Sequence, residues 1–288
     1  MNQQMNNNIP YCLPIHPKTL NFETKGSSVI PTTMTLDQLN ALILKSPYLD
    51  QYPFIEIWLD YLEDDLPTAL SQLCDHPLLS KKNIVFTLRT LNLSEPRLSV
   101  DARCEAVRLL NKLAYDKLND NELGNLATEK SSANLILDLD IATQEPELLT
   151  FNAIRSSATP FNNQFLGHGS LSLITSYHDF NKTMDTVEFD QIITLMTAYN
   201  PQIFKIATYC NTPLDAAFLL QAGLRLRNQG HNAVTLGMGH HGLETRVFGT
   251  LWGNALCYCP IHNEARSAPG QYSVDQLRKV FKLLEEES

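Results

Sequence analysis

Leu171-Ser172-Leu173-Ile174-Thr175-Ser176-Tyr177-His178 and, after one helical stretch, Ile203-Phe204-Lys205-Ile206-Ala207 read as two strands that share one pattern. Successive residues of a strand face opposite sides of its sheet. In the first run Leu171, Leu173 and Tyr177 occupy one face, while Ser172, Ser176 and His178 occupy the other. In the second, Phe204 and Ile206 oppose Lys205. An apolar face of this kind packs on helices. The opposite face then carries His178 and Lys205, both near the C-terminal ends of their strands, into an interior.

Working outward, six further runs have the same character, giving candidate strands at 28–33, 54–59, 83–89, 135–139, 171–177, 203–207, 233–236 and 255–259. Helical patterns separate them at 36–45, 66–74, 101–118, 147–155, 188–199, 213–228, 244–252 and, after the last strand, 274–285. Eight strand-then-helix units require a parallel sheet covered by helices, and eight is the count at which such a sheet closes into a barrel. The expected fold is therefore α/β, a single (β/α)8 TIM barrel over residues 26–288, with an open doubly wound sheet as the alternative. Residues 1–25, polar and Asn-rich, are expected to be an extension outside the barrel, either a tail or a flap across its bottom.

The length of 288 residues suits one decorated barrel or two average domains of about 150 residues. With 43% hydrophobic and 18% charged residues the chain buries a core, which excludes a disordered or collagen-like class. The formal charge of −9 repels a phosphate backbone, so nucleic acid is not an expected partner. No run approaches the ~20 apolar residues of a membrane span, and the first residues carry no basic charge ahead of an apolar stretch. A cytoplasmic protein is expected. Of the six cysteines, Cys257 and Cys259 form a C-x-C whose alternation puts both thiols on one side of a strand; buried reduced thiols are expected there rather than a zinc pair.

Alternation adds more groups to the interior. The second strand aims Glu56, Trp58 and Asp60 inward, the third Thr87 and Arg89, and the fourth Asp138 and Asp140. Five consecutive strands thus bring a charged or titratable side chain to the end of the barrel where active sites of this fold lie. Structural ion pairs, Glu56 with Arg89 and Asp140 with Lys205, would explain any two of them. Five converging groups instead suggest a site, because ordinary barrel interiors are filled with branched apolar side chains. A desolvated lysine amine can attack a carbonyl to form an imine, and a neighbouring histidine can move protons at the adjacent carbon. The residue types point to Schiff-base chemistry on a small oxygenated carbonyl compound and leave an aldolase and a dehydratase equally open.

Ser176-Tyr177-His178-Asp179-Phe180, then Lys205-Ile206-Ala207, then Met238-Gly239 and Gly242 leading to Thr245-Arg246, and finally Ser267-Ala268-Pro269-Gly270-Gln271, together resemble the type I 3-dehydroquinate dehydratases. The resemblance runs from about residue 29 to the C-terminus and is strongest over 171–271. It implies a barrel, usually dimeric, that dehydrates 3-dehydroquinate to 3-dehydroshikimate through a lysine imine without metal or cofactor. Lys205 would be the Schiff-base lysine and His178 the general acid and base. Arg246 would bind the substrate carboxylate, Glu56 and Arg89 its hydroxyls, and Ser267 and Gln271 would belong to a loop closing over the ligand. A homodimer acting on a small molecule is the implied assembly.

Two positions depart from the family pattern. Trp58 stands where the family has an inward arginine, and Leu93 stands where it has an acid supporting the histidine, with Glu95 two residues further on. On strand four, Asp140 matches a position that is usually acidic. A histidine without a carboxylate partner is poorly oriented. An impaired enzyme is therefore one expectation, and a barrel that only binds a ligand or partner, or a different Schiff-base lyase, are the alternatives.

Overall fold

The computed structural model describes residues 9–15, 33–45, 49–77, 79, 82–88, 98–123, 134–157, 171–261 and 270–286. Eight strands, all paired in parallel, form one sheet: β1 (Tyr11–Ile15), β2 (Phe54–Trp58), β3 (Asn83–Thr87), β4 (Leu135–Asp140), β5 (Ser172–Asp179), β6 (Ile203–Tyr209), β7 (Ala233–Met238) and β8 (Cys257–Tyr258). Their order is β7-β6-β5-β4-β3-β2-β1-β8, so the sheet curls until the last strand lies beside the first. The helices are α1 (Leu36–Lys45), α2 (Leu66–Asp75), α3 (Val100–Leu123), α4 (Glu145–Ser157), α5 (Thr186–Thr197), α6 (Pro213–Asn228), α7 (Leu243–Leu251) and α8 (Val274–Glu286). This is the (β/α)8 fold, and the open doubly wound alternative is set aside. No helix among the described residues is long and apolar enough to cross a membrane.

Strand alternation sorts the side chains into an outer and an inner set. Ile55, Ile57, Phe86, Leu137 and Leu173 point outward into the layer shared with the helices, and Phe204 and Ile206 do the same against α5 and α6. Inward, Phe54, Val85, Ile136, Ile174 and Ile203 join Cys12, Val234, Leu256 and Tyr258 in an apolar floor. Two residues further along the same strands stand Glu56, Thr87, Asp138, Ser176 and Lys205, all buried. Because the strands are parallel, this second tier lies toward their C-terminal ends. The polar groups therefore rest on a dry floor that closes the other end of the barrel, which limits water around them and strengthens every charge interaction there.

The first strand falls outside the stretch expected for it. Residues 28–32 of that stretch lie outside the described residues, and Thr33 is not in a strand. The strand that fills the place is Tyr11–Ile15, inside the segment 1–25 expected to be an extension, and it pairs with both β2 and β8. This short apolar run lies inside a polar, Asn-rich segment, and its Pro14 argues against a central strand. The structure accommodates it because β8 donates only from Cys257 to the Pro10 carbonyl and from Cys259 to the Cys12 carbonyl. The next bond of that ladder would need an N–H at position 14, which proline lacks. Pairing with β8 ends there, and β8 is two residues long.

The barrel closes between β7 and β8 partly through a side chain. Ala255 donates its N–H to the Ala233 carbonyl at 2.9 Å. Next to it, the buried Asn254 amide accepts from the Thr235 N–H at 3.3 Å and donates to the Thr235 carbonyl at 3.2 Å, standing in for a strand residue. Gly249 makes room, because a Cβ there would lie 2.6 Å from Asn254 Nδ2. Asn254→Ala would leave both groups of Thr235 buried without a partner, at about 1–3 kcal/mol each. A denaturant titration should show a clearly lowered midpoint; an unchanged one would mean the seam does not depend on this amide.

Candidate active site

Lys205 sits on β6 with only 3% of its surface exposed. Its Nζ is 2.6 Å from Asp138 Oδ2 and 3.5 Å from Glu56 Oε1, and lies 4.3 Å from the centre of the Tyr258 ring. Three different strands besides its own thus converge on one amine. The pairing expected as a structural alternative, Asp140 with Lys205, is not the one formed. Glu56 is engaged on both oxygens: Oε1 also accepts from Thr87 Oγ1 at 3.3 Å, and Oε2 accepts from Trp58 Nε1 at 2.9 Å. Trp58, where the family pattern has an arginine, thus gives this carboxylate a neutral donor, with its ring tilted against Tyr61 at 5.6 Å. Removing one partner of such a buried pair is costly, on the order of 3–5 kcal/mol, because the other charge is stranded.

His178 belongs to β5, one inward position beyond Ser176, the register partner of Lys205. Its Nδ1 is 2.8 Å from Asp140 Oδ2, and the two side chains are 3% and 1% exposed. Asp140 is itself fixed, since Oδ1 accepts from the Ala142 N–H at 2.9 Å and from Thr143 Oγ1 at 3.2 Å. Gln144 completes the frame, accepting from the Asp140 N–H at 2.8 Å and donating to the Leu88 carbonyl. The carboxylate can only accept, so it holds the proton on Nδ1 and leaves Nε2 as the nitrogen suited to take one. Strand four thus supplies His178 with a carboxylate, through the Asp140 that matches the usually acidic position of the family pattern. Leu93 and Glu95 lie outside the described residues.

Arg246 is buried in the first turns of α7 rather than in the loop preceding it. That loop is pressed backbone to backbone: a Cβ on Gly242 would come within 2.3 Å of the Gly237 carbonyl carbon. Thr245 pins it, bonding the Gly237 N–H at 2.7 Å and the Gly242 carbonyl at 2.6 Å. The next residue, Arg246, is consequently held at the mouth of β7. Gly270 returns the chain to it at φ +81°, where a Cβ would be 3.5 Å from Arg246 Nε, and the following Gln271 is buried. Of the other residues expected to touch substrate, Arg89 and Ser267 lie outside the described residues.

Tyr258 and the pairing of Asp138 with Lys205 were not anticipated. The signal for Tyr258 was present, because the alternation that puts Cys257 and Cys259 on one side puts Tyr258 on the other. Both thiols are free and buried in the outer layer, with Sγ atoms 3.5 Å apart. Burial pushes the Cys259 thiol well up, while Cys257 is lowered by its bond to Cys259 and by Thr250, at 3.1 Å. Among the described residues, no group of three or more His, Cys, Asp or Glu side chains could hold a metal ion.

The chain is similar in sequence and in fold to known proteins. A 3-dehydroquinate dehydratase of Methanosarcina acetivorans is 36% identical over 117 residues, 41% of this chain and 48% of the relative. One of Methanococcus maripaludis is 32% identical over 175 residues, 60% of this chain and 72% of the relative. The chain spans about half the length of the first curated relatives it matches. Among solved structures, the 3-dehydroquinate dehydratase of Geobacillus kaustophilus superposes with a TM-score of 0.65 at 20% identity, covering 98% of this chain and 93% of that one. The type I enzyme of Clostridium difficile, solved with covalently modified comenic acid, gives 0.66 at 18% identity, covering 99% and 96%. The family profile of type I 3-dehydroquinase matches residues 30–288, and by that match the chain belongs to the type I 3-dehydroquinase family.

Proposed function

We propose that this protein dehydrates 3-dehydroquinate to 3-dehydroshikimate through an imine on Lys205, with His178 moving the protons. The observation that carries the reading is the convergence of two buried pairs on one inward face: Lys205 with Asp138 and Glu56, and His178 with Asp140. Family membership supports a lyase of this substrate class.

The groups in place support the following course of reaction. The Lys205 ammonium must lose a proton, and Asp138 Oδ2 at 2.6 Å is placed to accept it. The amine lone pair then bonds to the ketone carbon, the carbonyl π pair moves to oxygen, and after protonation that oxygen leaves as water. The resulting iminium acidifies the adjacent carbon. His178 Nε2 takes a proton there while Asp140 stabilises the imidazolium, and the electron pair flows into the iminium to give an enamine. Its return expels the hydroxyl one carbon further on, which takes the proton back from His178. Water hydrolyses the new iminium and restores Lys205, so the balance is loss of one water. Arg246, a forked cation, is suited to the substrate carboxylate. Glu56 acts on Lys205 through Oε1 and is held by Trp58 through Oε2. The Asp140 contact favours a working acid and base over a barrel that only binds.

Borohydride added to the protein with 3-dehydroquinate should fix a covalent adduct that peptide mapping places on Lys205. Lys205→Met, nearly equal in volume but leaving Asp138 and Glu56 without their cation, should show a lowered denaturant midpoint and lose both adduct and turnover. Turnover by that variant at the wild-type rate would reject the imine.

Asp140→Asn should lower kcat by roughly 10²-fold or more, within the usual 10²–10⁴ worth of a positioned acid and base, while the borohydride adduct still forms. An unchanged kcat would remove Asp140 from the mechanism. Arg246→Lys should raise KM about tenfold, because a point charge cannot replace a two-pronged donor, with a smaller effect on kcat. Equal KM values would refute the carboxylate assignment.

A further inference from the structure

Tyr258 is the side chain of the cluster that the reaction above does not use. It lies between the two thiols of the C-x-C run, turned to the inner side of β8, and is 6% exposed. The Lys205 ammonium is 4.3 Å from the centre of its ring, well inside the ~6 Å over which a ring face attracts a cation, and both groups are buried where that attraction is least diluted by water.

We propose that Tyr258 is a catalytic residue whose ring face stabilises the positive charge on the Lys205 nitrogen through imine formation and breakdown. The proposal rests on the imine reading and extends it. The nitrogen loses hydrogen-bond donors as the imine forms. As an ammonium it has three N–H groups and can serve Asp138 and Glu56 together. As an iminium it keeps one, because one proton has left to a base, another has left with the departing water, and two bonds now go to carbon. At most one carboxylate then retains a hydrogen bond to it. The attraction of the ring is toward charge and needs no N–H, so it persists when the hydrogen bonds thin out. Tyr258 would thus supply to the iminium a stabilisation that the carboxylates supply best to the ammonium, and that difference is what accelerates a step. A merely structural Tyr258 would fill the barrel floor beside Cys12 and Leu256 and be indifferent to the electron density of its ring.

The two roles separate in a series that varies the ring's charge at nearly constant shape. Tyr258 in the full chain is replaced by phenylalanine, and by phenylalanine bearing one and three ring fluorines, which progressively weaken the negative face. The readouts are kcat and the rate at which a borohydride-trappable adduct forms on Lys205 in a single turnover, with the denaturant midpoint measured for each protein. Phenylalanine should stay within about twofold of the wild type and the trifluorinated ring should fall about tenfold below it, with the single fluorine between. Tyr258→Leu, which has no ring face, should fall as far as the trifluorinated protein. Rates that are flat across the series at equal stability would overturn the proposal, as would a loss in Tyr258→Phe as large as that in Tyr258→Leu, which would assign the effect to the hydroxyl. If the wild type itself gives no adduct on Lys205, the imine reading fails and this proposal falls with it; an adduct in the wild type with a flat series rejects Tyr258 alone.

Discussion

An ammonium removed from water is unstable unless its surroundings replace the lost hydration. At Lys205 that requirement recruits Asp138 at 2.6 Å, Glu56 at 3.5 Å and the ring of Tyr258, from β4, β2 and β8. Each recruit has its own dependents. Glu56 is shared with Thr87 and Trp58, so β3 joins the network. Five of the eight strands are thereby committed to one nitrogen. The arrangement needs the barrel to be closed, because strands two, four, six and eight face each other only across a complete ring.

The floor below this tier is what gives the charges their strength. Phe54, Val85, Ile136, Ile174 and Ile203 sit two residues before the polar members of their strands and form a dry base. The same alternation that makes the outer face of each strand apolar for the helices makes the inner face change character along its length. His178 then occupies the tier above Ser176, framed by Asp140, whose own carboxylate is tied to the turn that begins α4. The histidine's orientation is accordingly set by the turn at Ala142 and Thr143 that joins β4 to α4.

Period-two alternation made much of this legible in the sequence, because it is a local rule. It placed Glu56, Trp58, Asp138, Asp140, His178 and Lys205 on one face without knowledge of the neighbours. It could not pair them, since which carboxylate meets which base depends on the register and tilt between strands. That is why an Asp140–Lys205 ion pair stays open as the structural alternative in the sequence, whereas in the fold Asp140 meets His178 and Asp138 meets Lys205. The first strand was misplaced for a different reason. Tyr11-Cys12-Leu13-Pro14-Ile15 carries a proline that a local reading penalises, and only the two-residue extent of β8 explains why the penalty is not incurred. Arg246 was legible as a residue type following a glycine-rich run, whereas its placement depends on the contact of Gly242 with Gly237 and on the Thr245 hydroxyl.

The pairing of β1 with β8 has a bearing on how the chain reaches this state during synthesis. β1 has its neighbour on one side, β2, within a few tens of residues, but on the other side it waits until β8, at Cys257–Tyr258, has left the ribosome. Until then its outer edge, with the carbonyls of Pro10 and Cys12, has no strand to receive, and the sheet is an incomplete arc. Contacts of such long sequence separation form slowly, and exposed strand edges invite pairing with other chains. Proline is among the devices that blunt an edge, and Pro14 faces that open side. The residue that limits β8 in the finished barrel is thus also placed to shield a nascent one.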